Sequence, residues 1–115
     1  MKSRIEEIFS TIADPRVSGR CSHKLVDILM ISLCTLVADG EDFEDMVVFG
    51  HEKESLLRSF LELPNGIPSH DTFNRVFQIL DYQLLDACLG QYGKELLDIF
   101  AVQADLLFGD RKSVV

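Results

Sequence analysis

Apolar residues recur along this chain at the three- and four-residue spacing of amphipathic helices, and no segment alternates apolar and polar residues for long. Residues 5–12 predict a short first helix that ends at Asp14-Pro15. Residues 24–37 form the most apolar segment and predict a central helix contacted from several sides, with Gly40 as the C′ residue beyond its end.

The next two apolar stripes also have helical spacing. The first of these stripes belongs to a helix for which Asp42 is the expected N-cap, with Asp45 in the capping-box position. Gly50 is expected to break this helix. A second stripe continues to Pro64. Asp81 should cap a long helical pattern over residues 84–100, in which each interior glycine costs about 1 kcal/mol relative to alanine. We therefore expect a kink or break at Gly90 and Gly93.

Residues 65–77 look like the segment around which the other helices are arranged. Asn65-Gly66 is a strong turn dipeptide, and Pro68 keeps a helix from starting early. Ser69 can then act as the N-cap of a helix whose buried face comprises Phe73, Val76, Phe77 and Leu80. We expect this face to pack against the apolar stripe of the central helix, which comprises Leu25, Ile28, Leu29 and Leu33. The fold class predicted from all of these patterns is all-α, a compact bundle of about five to six helices with a helix-turn-helix-like segment.

The start of the helix at Ser69 carries the clearest candidate chemistry. The pattern Ser69-x-x-Thr72-x-x-Arg75-Val76, after a turn and an apolar helix, matches the second half of a helix-turn-helix. There, Arg75 would contact phosphate, while the candidates for base or additional backbone contacts are Ser69, His70, Thr72 and Asn74. The alternative is an ordinary capped helix in which Arg75 pairs with Asp71 one turn earlier.

Charge limits the extent of any nucleic-acid surface. The 115 residues, enough for one domain, carry a net charge of −8, whereas DNA-binding domains are usually basic. Residues 1–40 are balanced, with five basic and five acidic side chains, so residues 41–115 hold the whole acidic excess. Phosphate contacts would therefore come from a local cluster, for which the candidates are Arg16, Arg20, His23 and Lys24.

Other kinds of site find little support in the sequence. The three histidines lack the paired spacing of a zinc site, and no nucleophile triad or phosphate-binding loop is present, so we expect no metal and no cofactor. Three cysteines without Cys-x-x-Cys spacing indicate reduced thiols and a cytoplasmic protein. The N-terminus does not look like a signal peptide, and no apolar run is long enough to cross a bilayer, so no membrane contact is expected.

Further signals precede the run at residues 65–77, in the order Asp14-Pro15-Arg16, Arg20, His23-Lys24-Leu25, Asp27-Ile28-Leu29, Cys34, Asp39-Gly40, Phe49-Gly50 and Lys53. Together these residues resemble the N-terminal domain of H-repeat-associated, Rhs-linked bacterial transposases, which precedes a DDE-type catalytic domain. The resemblance covers about residues 5–95. Phe43 departs from it, because the family usually has tryptophan there.

The resemblance implies a helical, DNA-associated accessory domain of a mobile-element protein. In the family, the chain next enters a ribonuclease-H-like fold through an apolar-Asp-Gly-Lys strand, whose Asp is the first carboxylate that binds two divalent metal ions. Here the order is reversed to Gly109-Asp110, and the chain stops at Val115. We expect a helical domain over residues 1–100 and a degenerate tail over 101–115, with Asp110 as a possible relic or part of unrelated sequence. Without the other carboxylates, the chain should not be an enzyme.

Two functions remain open on the sequence. The chain is expected to be a transposase-derived accessory domain that binds DNA, such as the inverted-repeat ends of a transposon, or supports transposase assembly. The alternative is a protein-interaction module that dimerises or docks onto a transposase catalytic domain without touching DNA. Basic residues gathered on one face would favour DNA, whereas their dispersal beside an exposed apolar patch would favour docking.

Overall fold

The computed structural model describes residues 4–10, 12 and 23–108, with side chains described up to Val102. This part of the chain contains six α-helices and no strand, which confirms the predicted all-α class and helix number. The helices are α1 Arg4–Phe9, α2 Leu25–Val37, α3 Phe43–Glu52, α4 Glu54–Arg58, α5 His70–Ile79 and α6 Tyr82–Phe108.

Helix α2 is the central element, as its apolar sequence predicts, and most of its side chains are buried. Its two buried hydroxyls, on Ser32 and Thr35, donate to backbone carbonyls four residues earlier at 2.7 Å, so neither is left without a partner. Cys34 is also buried, and this burial raises the pKa of its thiol to about 12. Cys34 therefore belongs to the hydrophobic core.

The end of α2 differs from the prediction by one residue. Asp39, not Gly40, is the C′ residue, with a φ of 69°. The Gly40 amide then donates to the Thr35 carbonyl at 2.8 Å, the closing bond of a Schellman motif. A Cβ on Gly40 would lie 2.3 Å from Thr35 Cγ2. Glycine is therefore needed here because the backbone lies so close to Thr35, and not because the residue has a positive φ.

The predicted cap of α3 is confirmed, because the Asp42 carboxylate accepts from the Asp45 amide at 2.9 Å. The predicted break at Gly50 is wrong, since α3 continues to Glu52 and gives way to α4 at Lys53. Gly50 instead marks a close approach. A Cβ there would lie 2.5 Å from Cγ2 of Ile67, in the turn before α5.

Helix α6 runs without interruption through Gly90 and Gly93, so a break at these glycines is wrong, while a kink there stays a prediction. Cys88 and Leu96 are buried on either side of the glycines, and this packing outweighs their low helix propensity. Asp81 caps the helix as predicted, accepting from the Gln83 amide at 2.9 Å. The domain boundary at residue 100 stays a prediction, and α6 crosses it.

The core is built around α2 and α3. Helix α3 packs against both α2 and α5, while α1 lies between α2 and α6. We expected the apolar stripe of α2 to lie directly on that of α5, but the main neighbour of α5 is α3. Leu33 and Phe77, expected in this contact, are only partly buried, and all the other residues of the two stripes are buried.

Candidate nucleic-acid interface

A tight turn leads the chain into α5. The Gly66 amide donates to the Leu63 carbonyl at 3.1 Å, which places Pro64 and Asn65 at the two central positions of a β-turn. Gly66 has a φ of 80°, a conformation that glycine adopts without strain. The predicted Asn65-Gly66 turn is thus confirmed, although it begins at Leu63, whose own φ is 45°.

A buried carboxylate holds the first residue of this turn. Asp27 of α2 is 2% exposed, and its Oδ2 accepts from the Leu63 amide at 3.0 Å. Burial raises the pKa of Asp27, while the Leu63 amide and the nearby Lys24 charge oppose that rise. We did not predict this contact. The available signal was an acidic residue inside the most apolar helix of the chain.

Ser69 caps α5 as predicted. Its hydroxyl oxygen accepts from the Thr72 amide at 3.3 Å and lies 3.2 Å from the Thr72 hydroxyl. Both hydroxyl groups therefore take part in the cap. Ser69 is exposed and Thr72 is half-buried. The cap fixes where the helix begins, and the two side chains that follow it, His70 and Asp71, are exposed.

His70 and Asn74, two further candidates, lie on the same helix. The exposed His70 ring meets Phe43 edge-on, with ring centroids 6.0 Å apart, and its Nδ1 lies 3.7 Å from an Asp71 carboxylate oxygen. The half-buried Asn74 accepts through its Oδ1 from the Gln78 side-chain amide at 3.3 Å. Its own side-chain amide group remains able to donate to a ligand.

Arg75 is exposed and forms no ion pair with any residue that the structure describes. The alternative pairing with Asp71 is therefore not present. Other basic side chains in the same described part have acidic partners within the chain, namely Arg4, Lys24, Arg58 and Lys94. Arg75 thus keeps its charge available for a ligand.

Only two members of the predicted basic cluster, His23 and Lys24, lie in the described part of the chain, so the cluster itself stays a prediction. Lys24 Nζ lies 3.2 Å from Glu6 and 2.8 Å from Glu62. The hydrogen bond to Glu62 is the main cause of a raised Lys24 pKa. Its charge is therefore already balanced. His23 precedes it and is half-buried, while Arg16 and Arg20 lie outside the described residues.

Comparison with known proteins gives the family. Residues 6–93 match the family described as DDE_Tnp_1-associated. The chain belongs to this family. It is 42% identical over 101 residues to the "Uncharacterized protein in dhlA 3'region" of Xanthobacter autotrophicus, covering 82% of this chain and 34% of that protein. No solved structure matches.

Two Escherichia coli K12 proteins confirm the predicted resemblance. The "H repeat-associated putative transposase YbfD" is 37% identical over 73 residues, covering 64% of this chain and 29% of YbfD. The "Inactive transposase YbfQ" is 36% identical over 73 residues, covering 64% of this chain and 87% of YbfQ. This DDE_Tnp_1-associated chain therefore spans about a third of the Xanthobacter protein and of YbfD, and most of YbfQ.

An open apolar groove of about 330 Å³ in this DDE_Tnp_1-associated chain is lined by residues of α1, α2, α3, α5 and α6. Its floor includes the buried Leu29, and at its edge Leu36 is 55% exposed. Phe77 stacks between Phe43 and Tyr82, at centroid distances of 5.9 and 6.4 Å. The groove residues are Phe9, Leu29, Ser32, Leu33, Leu36, Phe43, Met46, Phe77, Tyr82, Leu85, Asp86 and Leu89.

Two further kinds of feature are absent from the described residues. These residues bring together no group of three or more histidine, cysteine, aspartate or glutamate side chains that could hold a metal ion. Nor does any helix in the described ranges have the length and apolarity needed to cross a membrane. Asp110, the possible relic of a metal ligand, lies outside the described part.

Proposed function

We propose that this DDE_Tnp_1-associated domain contacts DNA through α5 and does not catalyse strand transfer. The observation that carries the proposal is the exposed Arg75, which forms no ion pair with the described residues and lies on a helix whose start is fixed by a cap and a turn. Arg75 would contact a phosphate, while His70 and Asn74 would reach base edges or further backbone atoms. The DNA would be the inverted-repeat end of a mobile element, given the transposase relatives.

Few phosphates should be neutralised in such a complex. The net charge is −8, Asp71 is exposed in the first turn of α5, and Lys24 already has two acidic partners. Non-specific binding should therefore be weak and its salt dependence shallow, because that dependence reports the number of phosphate contacts. Specific binding would need contacts to base edges or partners that add charge.

The test is binding to terminal inverted-repeat DNA and to a scrambled duplex across a salt series. Arg75→Ala should weaken binding and lower the salt slope by about one unit, with little change in melting temperature. Arg58→Ala is the matched control, because Arg58 is also exposed but is paired with Glu54 at 2.8 Å. Undetectable binding by the parent, or equal losses in both variants, would remove the proposal.

The expected lack of strand-transfer activity is a separate part of the proposal. The family relationship covers a domain that makes up less than a third of YbfD, and the YbfQ relative is described as inactive. We expect neither nicking nor joining of donor DNA by the purified chain with Mg²⁺ or Mn²⁺. Metal-dependent nicking that disappears in Asp110→Ala would contradict this expectation and would assign Asp110 a metal-binding role.

The apolar groove supports a second candidate function, the docking of another protein segment. A second copy is a poor occupant, because two chains of charge −8 repel each other. The catalytic part of a related transposase is the partner to test. Leu36→Glu should weaken its binding, whereas Val48→Glu, at an equally exposed position outside the groove, should not. Equal binding by both variants and the parent would exclude docking at the groove.

A further inference from the structure

Asp27 is a buried charged group that the proposed DNA contact does not use. Its side chain leaves α2 and reaches Leu63, thirty-six positions later in the chain, where Oδ2 accepts the backbone amide at 3.0 Å. The Leu63 side chain is 1% exposed, so water does not offer its amide an easy replacement. The bond thus satisfies a backbone donor that no helix or sheet would otherwise satisfy.

The residue held by Asp27 is also the first residue of the turn before α5. The Leu63 carbonyl accepts a hydrogen bond from the Gly66 amide, and the Ile67 side chain then packs closely against Gly50. The cap at Ser69 follows two residues later. The position of Leu63 therefore sets the position from which the chain enters α5.

We propose that Asp27 is a positioning residue for α5, acting through the Leu63 amide and the turn at residues 63–66. It would set the direction in which the start of the helix faces a ligand, without touching that ligand. Lys24, Glu6 and Glu62 are the charged groups whose fields act on Asp27, and Lys24 lies between the two glutamates. This arrangement keeps a compensating positive charge near the buried carboxylate.

Amide hydrogen exchange tests the positioning role independently of any ligand. In the parent chain, the Leu63 amide should be strongly protected although it lies outside the helices, because Asp27 accepts it in a buried site. Exchange as fast as that of an exposed loop amide would overturn the proposal. This measurement needs no variant, so it remains decisive even if substitutions prevent folding.

Variants extend the test to α5. Asp27→Leu should speed exchange at Leu63 and Phe73 by about tenfold relative to Leu80, whose amide bonds within α5. Asp27→Asn keeps an oxygen acceptor and should restore most of the protection. Ser32→Ala is the matched control, because Ser32 is equally buried on α2 but bonds only within that helix. Unchanged Phe73 protection in folded Asp27→Leu would overturn the proposal.

DNA binding by the same variants gives a further test, which rests on the proposed function. If α5 contacts inverted-repeat DNA, Asp27→Leu should weaken that binding by about tenfold, and Asp27→Asn should lose much less. Both variants should keep the salt slope of the parent, because Asp27 contacts no phosphate. Absence of binding by the parent would end the DNA proposal and leave the exchange result to decide the role of Asp27. A loss of DNA affinity in Ser32→Ala equal to that in Asp27→Leu would contradict the positioning role.

Discussion

The start of α5 and the outer face of α1 and α6 are held in place by different kinds of contact. At the start of α5, the contacts are close and buried: Asp27 binds the Leu63 amide, and Gly50 lies against Ile67. On the outer face, Arg4 forms a two-pronged, exposed ion pair with Glu95 and lies 5.5 Å from the centre of the Tyr92 ring. Water and salt reach the ion pair on the outer face, but they do not reach these two buried contacts at the start of α5.

The two regions also differ in whether their arginine already has an acidic partner. The Arg4 charge is balanced by Glu95 and Glu7, so a phosphate would have to displace existing partners. Arg75 has no such partner among the described residues, and the backbone beneath it is fixed by buried contacts. A helix proposed to bind DNA needs a rigid backbone and a charge that is available to the ligand.

The largest expected effect is from Phe73→Ala, which would break the α5 region. Phe73 is 0% exposed, and truncation of a fully buried phenylalanine costs about 3–5 kcal/mol. Ile79→Ala on the same helix is the control, because Ile79 is 53% exposed and should change stability by no more than about 0.5 kcal/mol. Urea unfolding measures both. Equal stability of the two variants would contradict the buried role of Phe73.

Two glycines sharpen the comparison, because alanine should have opposite effects at them. Gly50→Ala should destabilise the chain by about 1–3 kcal/mol, since the new Cβ would lie 2.5 Å from Ile67 Cγ2. Gly90→Ala should stabilise it by about 0.5–1 kcal/mol, because the added Cβ meets nothing within 4 Å and the helix backbone is favoured. Thermal melts of both variants check the signs, and a common sign would mean that the two sites do not differ as described.

The two regions should also respond oppositely to pH. Burial raises the pKa of Asp27 above its ordinary value of 3.8, so the folded state gains stability from this group below that value and loses it as pH rises through the raised pKa. The parent should therefore lose stability relative to Asp27→Asn as pH rises from about 4 through the raised pKa of Asp27. Urea midpoints at several pH values measure the difference, and a constant difference would exclude the shift.

The smallest expected effect is from Arg4→Ala on the exposed face. The hydrogen bond from Arg4 lowers the pKa of Glu95, so this pair adds stability above the ordinary carboxyl pKa that is lost as pH falls through the lowered value. Because both side chains are exposed, the melting temperature should fall only slightly, and less at high salt. A fall as large as that of Phe73→Ala would show that the outer face is not held by exposed contacts alone.

Local contacts in the candidate site were predictable from sequence. The caps at Asp42, Ser69 and Asp81 depend on residues two or three positions apart, and all three are present. The breaks expected at Gly50, Gly90 and Gly93 were wrong, because low helix propensity is only a weak preference that packing overrides. The effect of a glycine depends on its neighbours in space. Gly50 has Ile67 beside it, whereas Gly90 has no neighbour within 4 Å of the position of a Cβ.

The sequence by itself determined the helical class, the order of the helices and the N-caps at Asp42, Ser69 and Asp81, since each rests on short-range periodicity or on residues within a single segment. The family resemblance also came from the sequence, through motifs spread over residues 14–77. Only the tertiary structure decided which charges remain available. It brings Lys24 to Glu6 and Glu62, Arg4 to Glu95, and Asp27 to Leu63, and it leaves Arg75 without a partner among the described residues. The physical reason is that electrostatic and hydrogen-bond partners depend on distances of a few ångströms in space, whatever their separation along the chain.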